Sequence, residues 1–296
     1  MADDRRTGST LDELMARARA RLTDSACATP DLDCRVLAGH AFGLDAAGLL
    51  LRGRSAVSAE EAARFEHYLA RRVAGEPVFR ILGRRPFYDH EFELSRDTLE
   101  PRPDTEALVD LAAEAFRSAT ARGDRLTFAD VGTGTGAIAV SLLALFPTAT
   151  ALAVDLSPGA LSTARRNAVS ADVGSRFLPV CSNYLSAIAP RLDAVVSNPP
   201  YIPSQAIESL SREVRDFDPR LALDGGLDGL AAYREIARQS AERLGAGGDL
   251  LLEIGQGQES DVTGICRANG FSPFAERTDY AGIVRALWFR RDRAAE

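Results

Sequence analysis

The chain has 296 residues, of which 46% are hydrophobic, a formal net charge of -7 and a pI near 5.2. These values are typical of a globular protein with one large or two ordinary domains, and the acidic balance argues against a broad phosphate-binding surface. All 35 basic residues are arginine. The lack of lysine excludes P-loop nucleotide hydrolases and pyridoxal enzymes, because both classes depend on a lysine side chain.

The cysteines and histidines show no spacing typical of a metal site or a disulfide framework. No C-x-x-C pair occurs, and no histidine lies at zinc spacing from a cysteine. We therefore predict free, mostly buried thiols and no bound metal. The residues concerned are Cys27, Cys34, Cys181, Cys266, His40, His67 and His90.

The first ten residues, MADDRRTGST, lack the apolar segment of a signal peptide, and no window approaches the length of a membrane span. A cytoplasmic protein without membrane association is the resulting expectation.

The N-terminal part, residues 1–76, is predicted to be a small helical domain that binds a partner or substrate. STLDELMARARARL has apolar residues at helical spacing, and SAEEAARFEHYLARRV opens with a capping box from Ser58 to Glu61. In residues 77–100, apolar residues including Phe79 and Ile81 are interleaved with polar ones around GRR and YDH turns. This segment is predicted to be a β-hairpin linker.

Residues 101–296 are predicted to form a mostly parallel α/β sheet with helices on both faces, because strand and helix patterns alternate. The candidate strands are LTFADV, ATALAVD, RFLPVC, LDAVVSN, GDLLLEIG and RALWFRR. In such sheets, ligands bind outside the carboxyl ends of the strands. Three of these ends carry residues suited to a ligand site.

The first strand end is followed by the glycine-rich turn GTGTGA, residues 132–137. Gly132, Gly134 and Gly136 remove side-chain bulk, so that a ligand can approach the backbone of the turn, which also includes Thr133 and Thr135. The turn fits the dinucleotide pattern G-x-G-x-x-G/A, although a merely tight turn would have the same composition.

The second strand end is Asp155, which can accept hydrogen bonds from both hydroxyls of a ribose. Together with the glycine turn, it predicts a cofactor that contains adenosine. These two ends leave both NAD and S-adenosylmethionine possible.

The third strand end is SNPPYI, residues 197–202. Asn198 and the Pro199 carbonyl offer two acceptors for the hydrogens of an NH2 group, Pro199 and Pro200 stiffen the loop, and Tyr201 can pack on a planar target. The alternative is a cis-proline turn that merely ends a strand.

DVGTGTGAIA, AVDLSPGAL and VVSNPPYI, taken together, resemble the class I S-adenosylmethionine methyltransferases that methylate amino groups. From about Glu76 onward, the PRPDTE, NPPY and DGGLDG segments resemble the protein-(glutamine-N5) methyltransferases of peptide chain release factors.

The resemblance implies a Rossmann-like, mostly parallel sheet of seven strands, S-adenosylmethionine as the cofactor, and the glutamine of the GGQ motif of class I release factors as the substrate. It further implies that residues 132–136 hold the methionine part of the cofactor, that Asp155 binds the ribose, that Tyr184 flanks the adenine and that residues 198–201 hold the glutamine. We further expect a monomer, and the acidic balance and the absence of lysine predict no direct nucleic-acid contact.

Two points stay open. The family commonly has Gly-Asp before the aromatic residue, whereas this chain has Ser182-Asn183, and Arg102, Asp104, Thr105 and Glu106 of PRPDTE receive no separate roles. The alternative functions are an adenine-N6 or guanine-N2 methyltransferase acting on nucleic acid, a nicotinamide-dependent oxidoreductase, and a non-catalytic binding module.

Overall fold

The computed structural model describes residues 9–120, 125–189 and 191–292. The chain divides between Gly83 and Arg84 into two compact units. The predicted boundaries after residues 76 and 100 stay predictions.

The first unit is helical. Its helices are α1 (Leu11–Asp24), α2 (Pro30–Phe42), α3 (Ala46–Arg52), α4 (Ala59–Val73) and α5 (Val78–Leu82). The predicted capping box of α4 is confirmed, because the Glu61 backbone NH donates to the Ser58 hydroxyl and the Ser58 NH donates to the Glu61 carboxylate. Inside the unit, the buried guanidinium of Arg72 donates to Asp33 at 2.6 Å.

The interpretation of Phe79 and Ile81 as hairpin residues is wrong. Both lie in helix α5, which follows Pro77, and the Ile81 NH donates to the Pro77 carbonyl at 3.0 Å. Proline is well tolerated at the start of a helix, where its missing NH has no helical partner to lose. The short apolar run VFRIL therefore suits one helical turn as well as a strand.

The hairpin itself is shorter than predicted and consists of β1 (Arg84–Phe87) and β2 (His90–Glu93), paired antiparallel. It belongs to the second unit, where the buried rings of Phe87 and Phe92 join the cluster formed by α6 and its neighbours.

The second unit contains a seven-stranded sheet, as the family resemblance implies. Its strands are β3 (Thr127–Val131), β4 (Thr150–Asp155), β5 (Phe177–Cys181), β6 (Leu192–Ser197), β7 (Leu244–Glu253), β8 (Phe271–Thr278) and β9 (Val284–Arg291). The order across the sheet is β5-β4-β3-β6-β7-β9-β8, and among these strands β9 alone runs antiparallel to the other six. The predicted fold class is confirmed.

Helices cover both faces of this sheet. The α-helices are α6 (Glu106–Thr120), α7 (Ala137–Leu145), α8 (Pro158–Ser170), α9 (Arg212–Phe217), α10 (Ala231–Arg243) and α11 (Glu259–Ala268). Side chains of α6, α7 and α8 form one buried cluster with the sheet, and those of α10 and α11 form the other. Short 3-10 helices span Pro103–Thr105, Ser204–Ser209 and Arg220–Ala222.

All four cysteines are free; Cys34 and Cys266 are buried, whereas Cys181 is exposed. Within the described ranges no single helix is long and apolar enough to cross a membrane, and only α2 with α3, bent by 81°, meets the length and composition test as a pair.

Candidate active site

The turn after β3 forms one wall of the candidate site. The backbone NH groups of Gly132 and Thr133 donate to the Val154 carbonyl on β4 at 2.8 and 2.9 Å. Gly132 and Gly134 have positive φ angles of 74° and 55°, which favour glycine. A Cβ atom added to either residue would have no neighbour nearer than 3.9 Å. The turn therefore leaves open space beside its backbone.

The two threonines of the turn lie on its inner side. Thr133 and Thr135 are buried, and the Thr133 hydroxyl donates to Asp130 at 2.7 Å. Asp130 is buried, accepts from the Ala139 NH at 3.2 Å, and has a pKa that burial raises to about 7. Gly136 caps α7 at the end of the turn. These residues shape the turn, whereas Gly132 and Gly134 border the open space.

Asp155, at the end of β4, connects this turn to the next strand. Its Oδ2 accepts from the Gly134 NH and its Oδ1 accepts from the Ser157 NH, both at 2.9 Å. Burial raises the pKa of the carboxyl, and these backbone hydrogen bonds partly oppose the increase. Since each carboxylate oxygen can accept more than one hydrogen bond, Asp155 retains capacity for two further donors.

The segment after β5 supplies the opposite wall. Tyr184 is half-buried and has a positive φ of 51°, which is uncommon for an aromatic residue. Ser182 is buried and its hydroxyl accepts from the Ala187 NH at 3.1 Å, whereas Asn183 is exposed. Ser182 thus stabilises the local turn, and Tyr184 and Asn183 face the open space.

Asn198 directly follows β6, whose last residue, Ser197, donates its hydroxyl to the Val131 carbonyl at 2.6 Å. The NH2 group of Asn198 donates to the hydroxyl of Thr105 at 3.1 Å. This hydrogen bond occupies the donor end of the amide. All peptide bonds of the described residues are trans, so the alternative of a cis-proline turn does not apply to Pro199 and Pro200.

A second segment, Asp224–Gly229, supports the proline loop. The Ile202 NH donates to the Leu223 carbonyl at 3.1 Å, and the Gly225 NH donates to the Ile202 carbonyl at 2.8 Å. A Cβ atom on Gly225 would lie 2.9 Å from the Pro200 carbonyl oxygen. Only glycine therefore allows this close approach of the two backbones.

Two cavities meet at Asn198. The glycine-turn cavity, of about 320 Å³, is lined by residues that include Gly132, Gly134, Asp155, Tyr184, Asn198 and Pro199. The proline-loop cavity, of about 200 Å³, is lined by residues that include Arg102, Asn198, Tyr201, Val214, Ala222 and Glu253. The structure thus brings the three predicted strand ends together, with Asn198 in the walls of both cavities.

Glu253, the last residue of β7, is a site residue that is not predicted from the sequence. It lines the proline-loop cavity, and its pKa is raised to about 7 by burial and lowered less strongly by hydrogen bonds with Thr105 and Asn198. A glutamate in the otherwise apolar strand LLLEIG is the signal that could have indicated it. The same kind of signal, an acidic residue in TFADV, marks Asp130.

Two family models match the chain. The model described as PrmC N-terminal domain matches residues 13–83, and the model described as Methyltransferase small domain matches residues 105–227.

Curated relatives cover nearly the whole chain. The release factor glutamine methyltransferase of Bradyrhizobium diazoefficiens is 44% identical over 96% of this chain and 96% of its own. That of Agrobacterium fabrum is 43% identical over 94% of this chain and 96% of its own. The chain belongs to the release factor glutamine methyltransferase family. The resemblance seen in the sequence is thereby confirmed, and so are its consequences that the protein is a methyltransferase and uses S-adenosylmethionine.

Among solved structures, the catalytic domain of hMettl16 in complex with MAT2A 3'UTR hairpin 6 has a TM-score of 0.55 and 15% identity. It covers 77% of this chain and 84% of its own. At this identity, the likeness concerns the fold alone.

The residues of the glycine-turn cavity fit S-adenosylmethionine. The cavity volume lies in the range of small-molecule sites, and its walls combine an open glycine turn, a carboxylate and an aromatic ring. Within the described ranges, no group of three or more His, Cys, Asp and Glu side chains could hold a metal ion.

Proposed function

We propose that this protein methylates the side-chain amide nitrogen of the glutamine in the GGQ motif of class I peptide chain release factors. Family membership supports the reaction and the substrate class. The observation that carries the proposal is Asn198, which lines both cavities and directs its NH2 group away, toward Thr105.

An amide nitrogen is a poor nucleophile, because its lone pair is delocalised into the carbonyl group. The Asn198 side-chain oxygen and the Pro199 carbonyl accept the two hydrogens of the glutamine NH2 group and aim its lone pair at the methyl donor. Orientation of this kind can lower a barrier by about 7 to 11 kcal/mol in favourable cases. Among the described residues, no group donates to either of these oxygens.

The bound cofactor supplies a methyl group on a positively charged sulfur. On this chain, the backbone of Gly132 and Gly134 leaves room for its methionine part, Asp155 accepts from its ribose, and Tyr184 packs against its adenine. The two threonines of the predicted turn, Thr133 and Thr135, contribute through the shape of the turn.

The glutamine side chain enters the proline-loop cavity. There, Pro199 and Pro200 keep the acceptors rigid, and the half-buried ring of Tyr201 packs on the planar amide. Burial raises the pKa of the Tyr201 hydroxyl to about 12, so Tyr201 stays neutral and serves as a packing surface. The methylated nitrogen gives up its proton readily, and no strong base is required.

The arginines around the proline-loop cavity are paired with carboxylates, and this pairing argues against a nucleic-acid substrate. Arg102 donates to Asp218 at 2.6 Å, Arg215 donates to Asp216 at 2.9 Å, and Arg220 lies 3.4 Å from Asp224. Because each of these three charges is paired with a carboxylate, the three arginines do not form a strongly positive stripe for a phosphate backbone. We infer a protein substrate without direct nucleic-acid contact, a monomeric enzyme, a cytoplasmic location and a role for residues 1–76 in binding the partner.

The test is to incubate the full chain with methyl-labelled S-adenosylmethionine and one of three substrates. These are a release factor, the same factor with its GGQ glutamine replaced by alanine, and a pool of unmodified tRNA, rRNA and DNA. Label on the unaltered release factor alone is the expected result. Label on nucleic acid, or on the alanine variant, would overturn the proposal.

A further inference from the structure

We infer that Glu253 is a positioning residue, which acts with Thr105 to determine which end of the Asn198 amide faces the substrate. This inference rests on the proposed function, since it concerns the orientation of the glutamine acceptor.

The register of the sheet brings these residues together. β6 and β7 are parallel, with Ser197 beside Leu252, so Asn198, which follows β6, comes next to Glu253, the last residue of β7. Thr105 approaches from the 3-10 helix that precedes α6 and is buried. Three segments far apart in the sequence therefore meet behind the proline loop.

The hydrogen bonds among Asn198, Thr105 and Glu253 determine which end of the Asn198 amide faces Thr105. The NH2 group of Asn198 donates to the Thr105 hydroxyl at 3.1 Å, and hydrogen bonding with these two side chains lowers the pKa of the Glu253 carboxyl. When it is ionised, the Glu253 carboxyl has only acceptors, and it then requires the NH2 of Asn198 and the OH of Thr105 to point toward it. The side-chain oxygen of Asn198 is consequently turned to the cavities.

An amide rotated by 180° would reverse this arrangement. Its oxygen would face the Glu253 carboxylate, and its NH2 group would face the NH2 group of the glutamine. Two donors cannot hydrogen-bond with each other, so the rotated amide is unable to hold the substrate. Without an acceptor-only partner behind it, asparagine has no fixed preference between the two orientations.

Fold stability does not account for Glu253. Its side chain is 2% exposed, and its Oε2 atom has no hydrogen-bond partner among the described residues. A buried carboxylate with an unpaired oxygen destabilises a fold relative to an apolar side chain. Its place behind Asn198 supplies a functional reason for the residue.

The experiment compares wild type with Glu253→Gln and Thr105→Val in the full chain, with a release factor and S-adenosylmethionine as substrates. Glutamine offers a donor as well as an acceptor, and valine removes the hydroxyl at constant shape. We expect kcat to fall by about 10-fold to 100-fold in each variant, the range typical when a partner of a site residue is replaced. The Kd of S-adenosylmethionine, measured by calorimetry, should stay within about twofold of wild type.

Two further variants separate positioning from a structural role. Thr105→Ser keeps the hydroxyl and should recover most of the activity that Thr105→Val loses. In an Asn198→Ala background, Glu253→Gln should cause no additional loss of kcat, because Glu253 acts through Asn198.

The inference is overturned if either single variant keeps wild-type kcat, or if the losses from Asn198→Ala and Glu253→Gln multiply. Should Glu253→Gln fail to fold, Thr105→Val and Thr105→Ser carry the same test. Absence of methylation by wild type would instead contradict the proposed function.

Discussion

At the scale of single residues, Asn198 and Asp155 differ in the cavities that they line. Asn198 lies in the walls of both cavities, whereas Asp155 lines the glycine-turn cavity. Substitutions at the two positions should therefore change different kinetic quantities.

Replacement of Asn198 by alanine should lower kcat by at least about 100-fold, the usual loss when a group that stabilises the transition state is removed. The Kd of S-adenosylmethionine should change little, because most of the glycine-turn cavity is untouched. Single-turnover methylation and calorimetry measure the two quantities. Asn269→Ala is the matched control, since the Asn269 side chain donates to the Ile265 carbonyl within its own helix end. Near-normal turnover of Asn198→Ala would contradict the proposed role of Asn198 as an acceptor for the glutamine NH2 group.

Replacement of Asp155 by alanine should raise the Kd of S-adenosylmethionine by about 10-fold to 100-fold, since hydrogen bonds to a charged group contribute about 1.5 to 3 kcal/mol. At saturating cofactor, kcat should recover. Asp31→Ala removes a carboxylate of an exposed ion pair in the first unit and serves as the control. Unchanged cofactor affinity in Asp155→Ala would place the ribose elsewhere.

The site residues that are predicted from the sequence lie in motifs at strand ends, where the local pattern already determines the position of each side chain. Asn198 belongs to this group, because SNPPYI stops a buried strand. Glu253 does not, since its role depends on the pairing of β6 with β7 and on Thr105 from a distant segment. Such contacts are not encoded in any local pattern.

At the scale of structural elements, the proline loop is held by the segment Asp224–Gly229 through a backbone contact that leaves no space for a side chain. At Gly225, an added Cβ would lie 2.9 Å from the Pro200 carbonyl oxygen, and at Gly229 it would lie even closer to the Tyr201 carbonyl oxygen.

Gly225→Ala should therefore displace the proline loop, lower kcat and reduce the free energy of unfolding by about 1 to 3 kcal/mol, as overpacking commonly does. Urea unfolding and steady-state kinetics measure these effects. Gly245→Ala is the matched control, since a Cβ there has no neighbour within 4 Å and both glycines lie outside the positive-φ region. Equal behaviour of the two variants would mean that the loop tolerates displacement.

Elements with a strong local period are predicted from the sequence, and those defined by tertiary contacts are not. β8 contains Pro273 and the adjacent charges Glu276 and Arg277, a pattern that does not resemble a strand, but an edge strand tolerates proline at a bulge. The short helix α9 and the 3-10 helices around it have too few residues for any periodicity.

At the scale of the whole molecule, two buried carboxyls couple stability to pH. Burial raises the pKa values of Asp130 and Glu253 to about 7, above those of the unfolded chain. The folded state thus binds these protons more tightly than the unfolded state does. Their contribution to stability is fully present below about pH 4 and is lost as the pH rises through 7.

We therefore expect the free energy of unfolding of the cofactor-free protein to fall between pH 5 and pH 8. At about 1.4 kcal/mol per pKa unit, each group contributes on the order of 4 kcal/mol at most. Urea unfolding at a series of pH values measures the slope, and Glu253→Gln should make it shallower. A stability that rises over this interval would contradict the assignment of raised pKa values.

The general architecture follows from the alternation of strand and helix patterns, but the order of the strands does not. Alternation predicts a mostly parallel sheet with two helical layers, and the clusters on either side of the sheet agree. The position of β9 between β7 and β8 is a non-local arrangement that no periodicity in the sequence predicts.

The hydrogen bonds that join Ile202 to Leu223 and Gly225 have an evolutionary consequence. They pin together the two ends of the segment 203–222, whose residues Val214 and Ala222 line the proline-loop cavity. The entropic cost of a longer loop grows slowly once its ends are fixed. This segment can therefore diverge in length and composition, and with it the choice of substrate, without a change in the chemistry that we propose for Asn198.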